Sequence, residues 1–451
     1  MTAAKAGLEG ERSHRWRLPA ILLAGLLLRL AVFAWIPTQP VSDFLGYFLR
    51  AQSLALVGRD ELRRGEPDAS HPPGYPIALS IALRAAPASH GLTAAKAGNA
   101  VLGLFAALVG ALLARDLWGD RASLWTAAIF SFFPRSILMA DLIASENLFS
   151  PLWLLFLLLA ARRWTGSRSL RLAAAAGIAI GLLTLTRSVA YFLPLVWLAG
   201  VAAGRRPRPG RVVAELLILL AAEHAVLLPW AARNARVIGR FTFLSTAGGA
   251  GLFIGNNPRA TGDWYDWQPD LERLRPGIGA RGPLAVDDAA REEAVRWIRA
   301  NPGRAASLYV RKLRIIATDD AFVAGMAIFG EGISPPYPPA DVLPGIHPLK
   351  SHRQAVSILL RGAGIALALA AFGGFLVLVA GARRGSIADR ALAAGFAAAA
   401  LYVPVVSAAI AVNGRYRWPA EDAIMPLAGL GLAWLAKSRR LRSDPAGAAT
   451  R

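Results

Sequence analysis

Residues 18–36 read LPAILLAGLLLRLAVFAWI, with His14, Arg15 and Arg17 just before them and Pro37, Pro40 and Asp43 just after. A bilayer-spanning helix needs about 20 predominantly apolar residues, and this run supplies them. No small-x-small cleavage site follows it, so it reads as an uncleaved membrane anchor rather than a secretory leader. Nine further apolar runs extend that reading: Ala97–Ala114, Ala122–Ala140, Asn147–Ala161, Leu172–Thr186, Ser188–Gly204, Val212–Trp230, Gly362–Ala382, Ala391–Gly414 and Ala423–Ala436. The expected fold class is therefore an all-α polytopic membrane protein with about ten transmembrane helices.

Composition agrees. Of 451 residues, 55% are hydrophobic and 18% charged, and the mean hydropathy is +0.43. A soluble domain carries about 25% charged residues, so a purely soluble enzyme is disfavoured. The apolar content also excludes a disordered or collagen-like chain. Cysteine is absent, which removes disulfides, thiolate metal sites and a Cys nucleophile. The net charge of +21 would suggest nucleic acid if it formed one patch. It falls instead in short runs between apolar segments, so no nucleic-acid partner is expected.

The Lys and Arg distribution orients the spans. Cytoplasmic connections carry an excess of these residues. With the N-terminus inside, the first 17 residues, Arg115–Arg121, Arg162–Arg171, Gly204–Arg211, Ala382–Arg390 and Lys437–Arg451 are all cytoplasmic, and they hold 22 of the 50 basic residues. The outer link Asp141–Glu146 holds none. Both ends are thus expected inside, in a bacterial inner membrane. The expected organisation is a cytoplasmic N-terminus over 1–17 and a transmembrane module over 18–230, with a first outer loop at 37–92. A periplasmic loop region covers 231–352, a second transmembrane module 353–437, and a basic tail 438–451.

In the first outer loop, Ser42 can cap a helix that opens with Asp43 and carries Phe44, Leu45, Tyr47 and Phe48, apolar enough to lie in the interface. His71-Pro72-Pro73-Gly74-Tyr75-Pro76 leads into a short apolar piece, Ile77–Leu83, too short to span. In the second outer region a helix at Asp287–Ala300 precedes an amphipathic stretch, Arg304–Ile316, suited to the membrane surface. The run Gly248–Gly251 is no phosphate loop, since no Gly-Lys-Ser/Thr follows.

Ionisable residues at the outer face are the candidates for chemistry, because charge near hydrocarbon is costly. Asp43 either serves its helix N-terminus or acts on substrate. Glu146 opens the fourth span and has the same two readings, whereas Asp141 suits a solvated link. Two carboxylates meeting from different spans could supply a general base and a second acceptor for hydroxyls or a metal. Arg187 lies at an outer helix end, where it either snorkels or binds phosphate through its fork of donors. Arg415-Tyr416-Arg417 forms a tight outer turn where few cations are expected. Headgroup anchoring competes there with a phosphate or pyrophosphate site. His71 is either a hydrogen-bonded structural residue or a substrate contact. Glu223-His224, inside the seventh span, reads as a charge-neutralising contact within the bundle. His14, His90, His347 and His352 lack metal spacing.

Six stretches in this order resemble the GT-C membrane glycosyltransferases, in the branch related to protein O-mannosyltransferases and aminoarabinose lipid A transferases (glycosyltransferase family 39-like). They are Ser42-Asp43, His71–Pro76, Ser145-Glu146, Leu185-Thr186-Arg187, Pro229–Asn234 with Gly255–Pro258, and Arg415–Glu421. The resemblance runs over residues 18–436. It implies a polyprenyl-phosphate-linked sugar as donor, an envelope lipid, glycan or protein as acceptor, and membrane lipids as surroundings. It implies Asp43 as the catalytic base of an inverting transfer. His71, Tyr75 and Glu146 are the candidate substrate and acceptor contacts. Arg187, Arg415, Tyr416 and Arg417 are implied at the lipid phosphate. The protein mannosyltransferases carry Asp-Glu in the first loop, whereas here Phe44 follows Asp43. Some relatives build a metal site partly from first-loop residues, which leaves a divalent metal open and its ligands unknown. The residues leave three other classes open: a lipid-linked-sugar flippase or transporter, an O-antigen ligase-like enzyme, and a catalytically silent lipid-binding relative.

The topology is directly testable. Because the chain has no cysteine, Ser167→Cys and Thr261→Cys report cleanly to a membrane-impermeant thiol reagent in cells with a permeable outer envelope. Thr261→Cys should label and Ser167→Cys should not. The reverse pattern overturns the orientation.

Overall fold

A computed structural model describes residues 2–36, 38–40, 42–63, 65–204, 208–318 and 352–443. The expected outer-region residues 319–351, with His347, and the tail beyond 443 lie outside these, as do Arg205 and Arg206 of an inner connection.

The described residues are helical almost throughout. In hydrocarbon no water satisfies backbone N–H and C=O groups, so spanning segments close their hydrogen bonds internally. The helices are α1 (Thr2–Trp35), α2 (Asp43–Val57), α3 (Gly74–Arg84), α4 (Gly91–Trp118), α5 (Asp120–Phe132), α6 (Pro134–Ala140), α7 (Glu146–Trp164) and α8 (Leu170–Thr186). Then come α9 (Pro194–Ala203), α10 (Pro209–Val237), α11 (Gly248–Gly255), α12 (Gln268–Leu274), α13 (Pro283–Ala300) and α14 (Pro302–Thr318). The last three are α15 (Arg353–Arg383), α16 (Ile387–Ser407) and α17 (Trp418–Ser443). A two-stranded antiparallel ribbon, β1 (Glu61–Arg63) with β2 (Glu66–Pro67), interrupts the first outer loop.

Among the described residues five helices are long and apolar enough to cross a bilayer: Trp16–Trp35, Ala88–Trp118, Pro209–Val237, Gln354–Arg383 and Ile387–Ser407. Only 11% of the apolar window of the first is buried, and Leu23, Leu27, Leu217, Leu228, Leu369 and Leu401 face outward, which suits contact with lipid. Leu170–Thr186 and Ser188–Ala203 are apolar but shorter. α7 and α17 carry ionisable residues toward their ends, Glu146, Arg162 and Arg163 in one and Glu421, Asp422 and Lys437 in the other.

Ala122–Ala140, read above as one span, is two helices bent by 53°. Pro134 is the reason. It has no N–H to give the Phe130 carbonyl four residues back, and it holds Phe133 extended at φ −66°, ψ 121°. The carbonyls so released are taken by Arg29 from α1, which is 2% exposed. Its guanidinium donates to Phe130 O at 2.6 Å and Ser131 O at 3.1 Å. A cation inside the first span is thereby matched to the negative end of a helix.

The main core lies between α4, α5, α7, α8, α9, α15, α16 and α17 around Trp153, Trp164, Trp197 and Phe396. α8 meets α10 through Gly177 and Gly181. A methyl group at Gly177 would collide with the Leu219 carbonyl, and at Gly181 it would lie 2.7 Å from Val226 Cβ. Small residues four apart let two membrane helices approach closely where no hydrophobic force acts between them. A second core of Ile36, Phe44, Tyr47, Tyr75, Leu138 and Trp418 sits at the end of the bundle where α2 and α3 pack. A third, built on Phe253, Leu271, Ala290 and Ala294, holds α11, α12 and α13 together.

One expected contact is not made. His224 bonds Tyr191 Oη at 3.0 Å and the Leu220 carbonyl at 2.8 Å rather than neutralising Glu223. Adjacent helix residues point about 100° apart, so the pair cannot face one partner. The Glu223 carboxylate has no hydrogen-bond partner among the described residues. α14 is amphipathic as expected, yet it turns Lys312 inward, fully buried, with Nζ 3.2 Å from the Gly255 carbonyl and 3.4 Å from Asn256 Oδ1.

Arg29→Met should leave two carbonyls without a donor, at about 1–3 kcal/mol each. Thermal unfolding in detergent should show a marked loss for Arg29→Met and almost none for Leu27→Met on the outward face. Equal melting of the two variants removes this role from Arg29.

Candidate active site

The site is assembled at one end of the bundle, where helices from distant parts of the chain converge. The link between α6 and α7 sets its floor. Residues 141–146 are all buried, and their carbonyls are served by side chains. Asn99 Nδ2 donates to Leu142 O at 2.8 Å, and Asn147 Nδ2 reaches Leu142 O and Ala144 O, both at 3.0 Å. Buried backbone must be paired in this way. Asp141 is therefore not solvated, as its place in a polar link suggested. It is 1% exposed and paired with Lys96 Nζ at 2.6 Å.

Glu146, at the start of α7, is the centre of the cluster. Its buried carboxylate is ion-paired with Arg187, and Arg415 Nε lies 3.7 Å from the same oxygen. Arg187 caps α8, and its Nη1 also reaches Ser145 Oγ at 3.3 Å. Arg415 stands in the 3-10 turn Gly414–Arg417, which Asn413 caps by accepting the Arg415 N–H at 3.2 Å. Arg415 Nη2 donates to Asp43 Oδ2 at 2.7 Å. Tyr416 flanks both cations, with Arg187 5.3 Å and Arg415 5.8 Å from its ring centre, and Phe44 lies 5.7 Å from Arg415. These distances suit cation–π contact.

Asp43 opens α2, but Ser42 does not cap it. Ser42 makes no side-chain cap bond, and its φ of 51° with ψ −130° lies where L-residues are strained. His71 approaches from the Pro-rich loop, with Nε2 3.8 Å from Asp43 Oδ1. Burial pushes the Asp43 carboxyl up, but Arg415, His71 and Arg187 overcome it and hold the group down at about 2. The same burial, with Asp43 adjacent, raises Tyr47 to about 12, so it stays a neutral phenol.

The Pro-rich loop is placed by backbone contact. A side chain at Gly74 would sit 2.7 Å from the Leu185 carbonyl, so glycine lets α3 start directly against the end of α8. Below it Arg50, 1% exposed, is clamped by Asp60 at 2.7 Å and Asp68 at 2.9 Å, and donates to the His71 carbonyl at 3.1 Å. Arg233 at the end of α10 donates to the carbonyls of Asp68 and Asp60 at 2.8 and 3.0 Å.

The structure thus brings together Asp43, His71, Glu146, Arg187, Arg415 and Tyr416. Two expected site residues stand apart. Tyr75 is fully buried, its hydroxyl donating to Asn99 Oδ1 at 3.0 Å and its ring edge-on to Tyr47, so it supports the site without facing it. Arg417 is turned away by the 3-10 turn. It bonds Glu421 at 3.0 Å and the carbonyls ending α14, Ile316 at 3.4 Å and Ala317 at 2.5 Å. The Arg50–Asp60–Asp68–Arg233 clamp was not anticipated; Arg233 stood in a quoted motif, but nothing in the sequence pairs it with the first loop. No group of three or more His, Asp or Glu side chains suited to a metal occurs among the described residues.

No protein-family model and no curated protein matches the sequence. Solved structures do. The Archaeoglobus fulgidus oligosaccharyltransferase AglB, in complex with an inhibitory peptide and a dolichol-phosphate, superposes with a TM-score of 0.55 at 16% identity, over 98% of this chain and 52% of that one. An Archaeoglobus fulgidus oligosaccharyltransferase tethered to an acceptor peptide gives 0.56 at 17% identity, over 96% and 50%. The chain has the GT-C fold. ArnT from Cupriavidus metallidurans bound to undecaprenyl phosphate aligns over 94% of this chain and 79% of its own at 13% identity, with a TM-score of 0.43. This chain spans about half the length of the oligosaccharyltransferase chains it matches.

The two arginines of the last turn should separate in experiment. In Arg415→Gln burial is no longer opposed by the adjacent guanidinium, so the Asp43 carboxyl should titrate well above 2. In Arg417→Gln it should not move. Carboxyl carbon NMR of labelled aspartate across pH 2–6 reads this, with Asp43→Asn giving the assignment. Equal shifts in both variants would place Arg417 in the cluster.

Proposed function

We propose that the chain is a membrane glycosyltransferase that moves a sugar from a polyprenyl-phosphate donor to an envelope lipid, glycan or protein. The observation that carries this is the convergence of Arg187 and Arg415 beside an ionised Asp43 at one end of the bundle. The fold shared with the archaeal oligosaccharyltransferase supports it, and that enzyme's structure with a dolichol-phosphate is consistent with a lipid-phosphate ligand. In this reading the chain crosses a bacterial inner membrane about ten times, both termini are cytoplasmic, and the site is periplasmic.

The geometry suggests a division of labour. Arg187 makes its hydrogen bonds among the described residues through Nη1 only, which leaves the rest of its fork for phosphate oxygens. Glu146 balances the two cations before the donor arrives and keeps them from repelling each other. Tyr416 fixes their planes. Asp43 presents Oδ1 to the acceptor while Arg415 holds Oδ2. The acceptor oxygen attacks the anomeric carbon as the bond from that carbon to the phosphate oxygen breaks, and the electron pair leaves with the phosphate. Attack opposite the phosphate inverts the anomeric centre. Charge grows on the leaving phosphate, so fixed cations there matter more than a general acid. Asp43 takes the acceptor's proton as the bond forms. Its pairing with Arg415 guarantees that it is ionised and weakens it as a base.

Purified protein in nanodiscs, given a polyprenyl-phosphate sugar and a panel of envelope acceptors, should release free polyprenyl phosphate in step with glycan transfer. Asp43→Asn should slow both by about a hundred- to ten-thousand-fold while lipid binding persists. Undiminished turnover in Asp43→Asn makes Asp43 a structural residue. Movement of intact lipid-linked sugar between leaflets, with no bond cleaved, replaces the transferase by a flippase.

A further inference from the structure

We propose that His71 is the proton-holding partner of Asp43, with Nε2 as the atom on which the acceptor's proton comes to rest and Ser70 and Asp68 as the residues that position it. The proposal deepens the transferase reading and rests on it. It begins from a hydrogen-bond chain whose directions are fixed. Asp68 is held ionised: burial raises its pKa, but Arg50 and the two bonds from Ser70 lower it. An ionised carboxylate only accepts hydrogen bonds. The Ser70 hydroxyl donates to Asp68 Oδ1 at 2.5 Å, which uses its single proton. Ser70 Oγ also lies 2.9 Å from His71 Nδ1, and with its proton committed it can only accept. Nδ1 therefore carries the hydrogen, and in the neutral ring Nε2 carries the lone pair.

That lone pair points toward the other acceptor of the site. Nε2 and Asp43 Oδ1 are 3.8 Å apart, too far for a direct hydrogen bond. Oδ2 is occupied by Arg415, so Oδ1 is the oxygen left facing His71. Two proton acceptors thus stand side by side, and the group that completes them is a donor such as a hydroxyl. The ring is also held in place. It packs edge-on to Tyr47 at 5.4 Å, and Arg50 grips the His71 backbone carbonyl at 3.1 Å. The side chain remains 37% exposed, so an acceptor can reach it. The charged and titratable groups around it are Asp43, Tyr47 and Arg50 from α2, Asp68 from the loop, and Arg415 beyond Asp43.

The step balances. The acceptor O–H gives its proton to the Asp43–His71 pair as its oxygen bonds to the anomeric carbon. The phosphate leaves with the electron pair of the broken bond. The proton settles on Nε2, and the resulting imidazolium faces the Asp43 carboxylate, which stabilises it. A carboxylate tied to a guanidinium holds a proton poorly, and the Nε2 lone pair beside it gives the proton a second site. Asp43 then orients and His71 stores.

Nitrogen NMR of histidine-labelled full-length protein in nanodiscs, with His71→Gln for assignment, should show neutral His71 protonated on Nδ1. Ser70→Ala should abolish that preference. In the transfer assay His71→Gln should lose about a hundredfold or more in kcat with polyprenyl-phosphate binding retained, and added imidazole should restore turnover to His71→Gly. A ring protonated on Nε2 overturns the proposal, as does undiminished kcat in His71→Gln. A wild-type protein that cleaves no lipid-linked sugar overturns the transferase reading instead, and the ring spectra still decide whether Nε2 carries a lone pair beside Asp43.

Discussion

One buried carboxylate between two guanidiniums fixes one end of this molecule. Glu146 holds Arg187 from the end of α8 and lies 3.7 Å from Arg415 of the last turn, and Arg415 in turn holds Asp43 from the first loop. Four segments far apart in sequence meet at these charges. None of the charges could be buried alone. An isolated ion in a low-dielectric setting is strongly disfavoured, and removing one member of a buried pair costs about 3–5 kcal/mol because it strands the other. The cluster therefore makes the position of each segment conditional on the others. Two cations would otherwise repel at this range, so the carboxylate is a precondition for any anion site built from them.

The same logic recurs at several other charges that enter the bundle. Lys96 is paired with Asp141, Arg163 with Glu215, and Arg135 with Glu421, which also takes Arg417. Arg29 differs, because helix-end carbonyls satisfy it instead of a carboxylate. That exception is instructive. A proline break exposes carbonyls with partial negative charge, and an arginine from the adjacent helix matches them. The bend between α5 and α6 then directs the α6–α7 link under the site, where Asn99 and Asn147 serve its carbonyls. The bend and the floor of the site are thus parts of one arrangement.

Much of this was legible in the sequence, for a definite reason. Apolar run length and the placement of arginine report directly on burial in lipid, so the helical membrane class, and the GT-C fold through its motifs, could be read before any coordinates. The convergence of Asp43, Glu146, Arg187 and Arg415 was legible residue by residue, because each is an ionisable side chain at or near the end of an apolar run. Reading failed where direction mattered. Arg415 and Arg417 are two apart, and the tight turn between them sends one to Asp43 and the other to Glu421. Tyr75 and Asp141 look available in a linear chain and are buried in the fold. Pairings across large separations, such as Arg50 and Arg233 around Asp60 and Asp68, leave no local trace.

These misses sort the motifs into two kinds of work. Pro229–Asn234 and Gly255–Pro258 do not reach the charged cluster. Arg233 ties the first loop to α10, and Asn256 donates to the carbonyls of Leu252 and Ala409, which seats the second outer region on the end of α16. Leu185-Thr186-Arg187 and the Pro-rich loop do both. Leu185 receives Gly74 at close range, and the residues at the two motif ends, Arg187 and His71, turn into the site. A short polar motif at a membrane helix end has to satisfy backbone groups before it can present a side chain. His71 is where the two demands are met together. Its carbonyl and Nδ1 are committed to the scaffold through Arg50 and Ser70, and that commitment turns Nε2 toward Asp43.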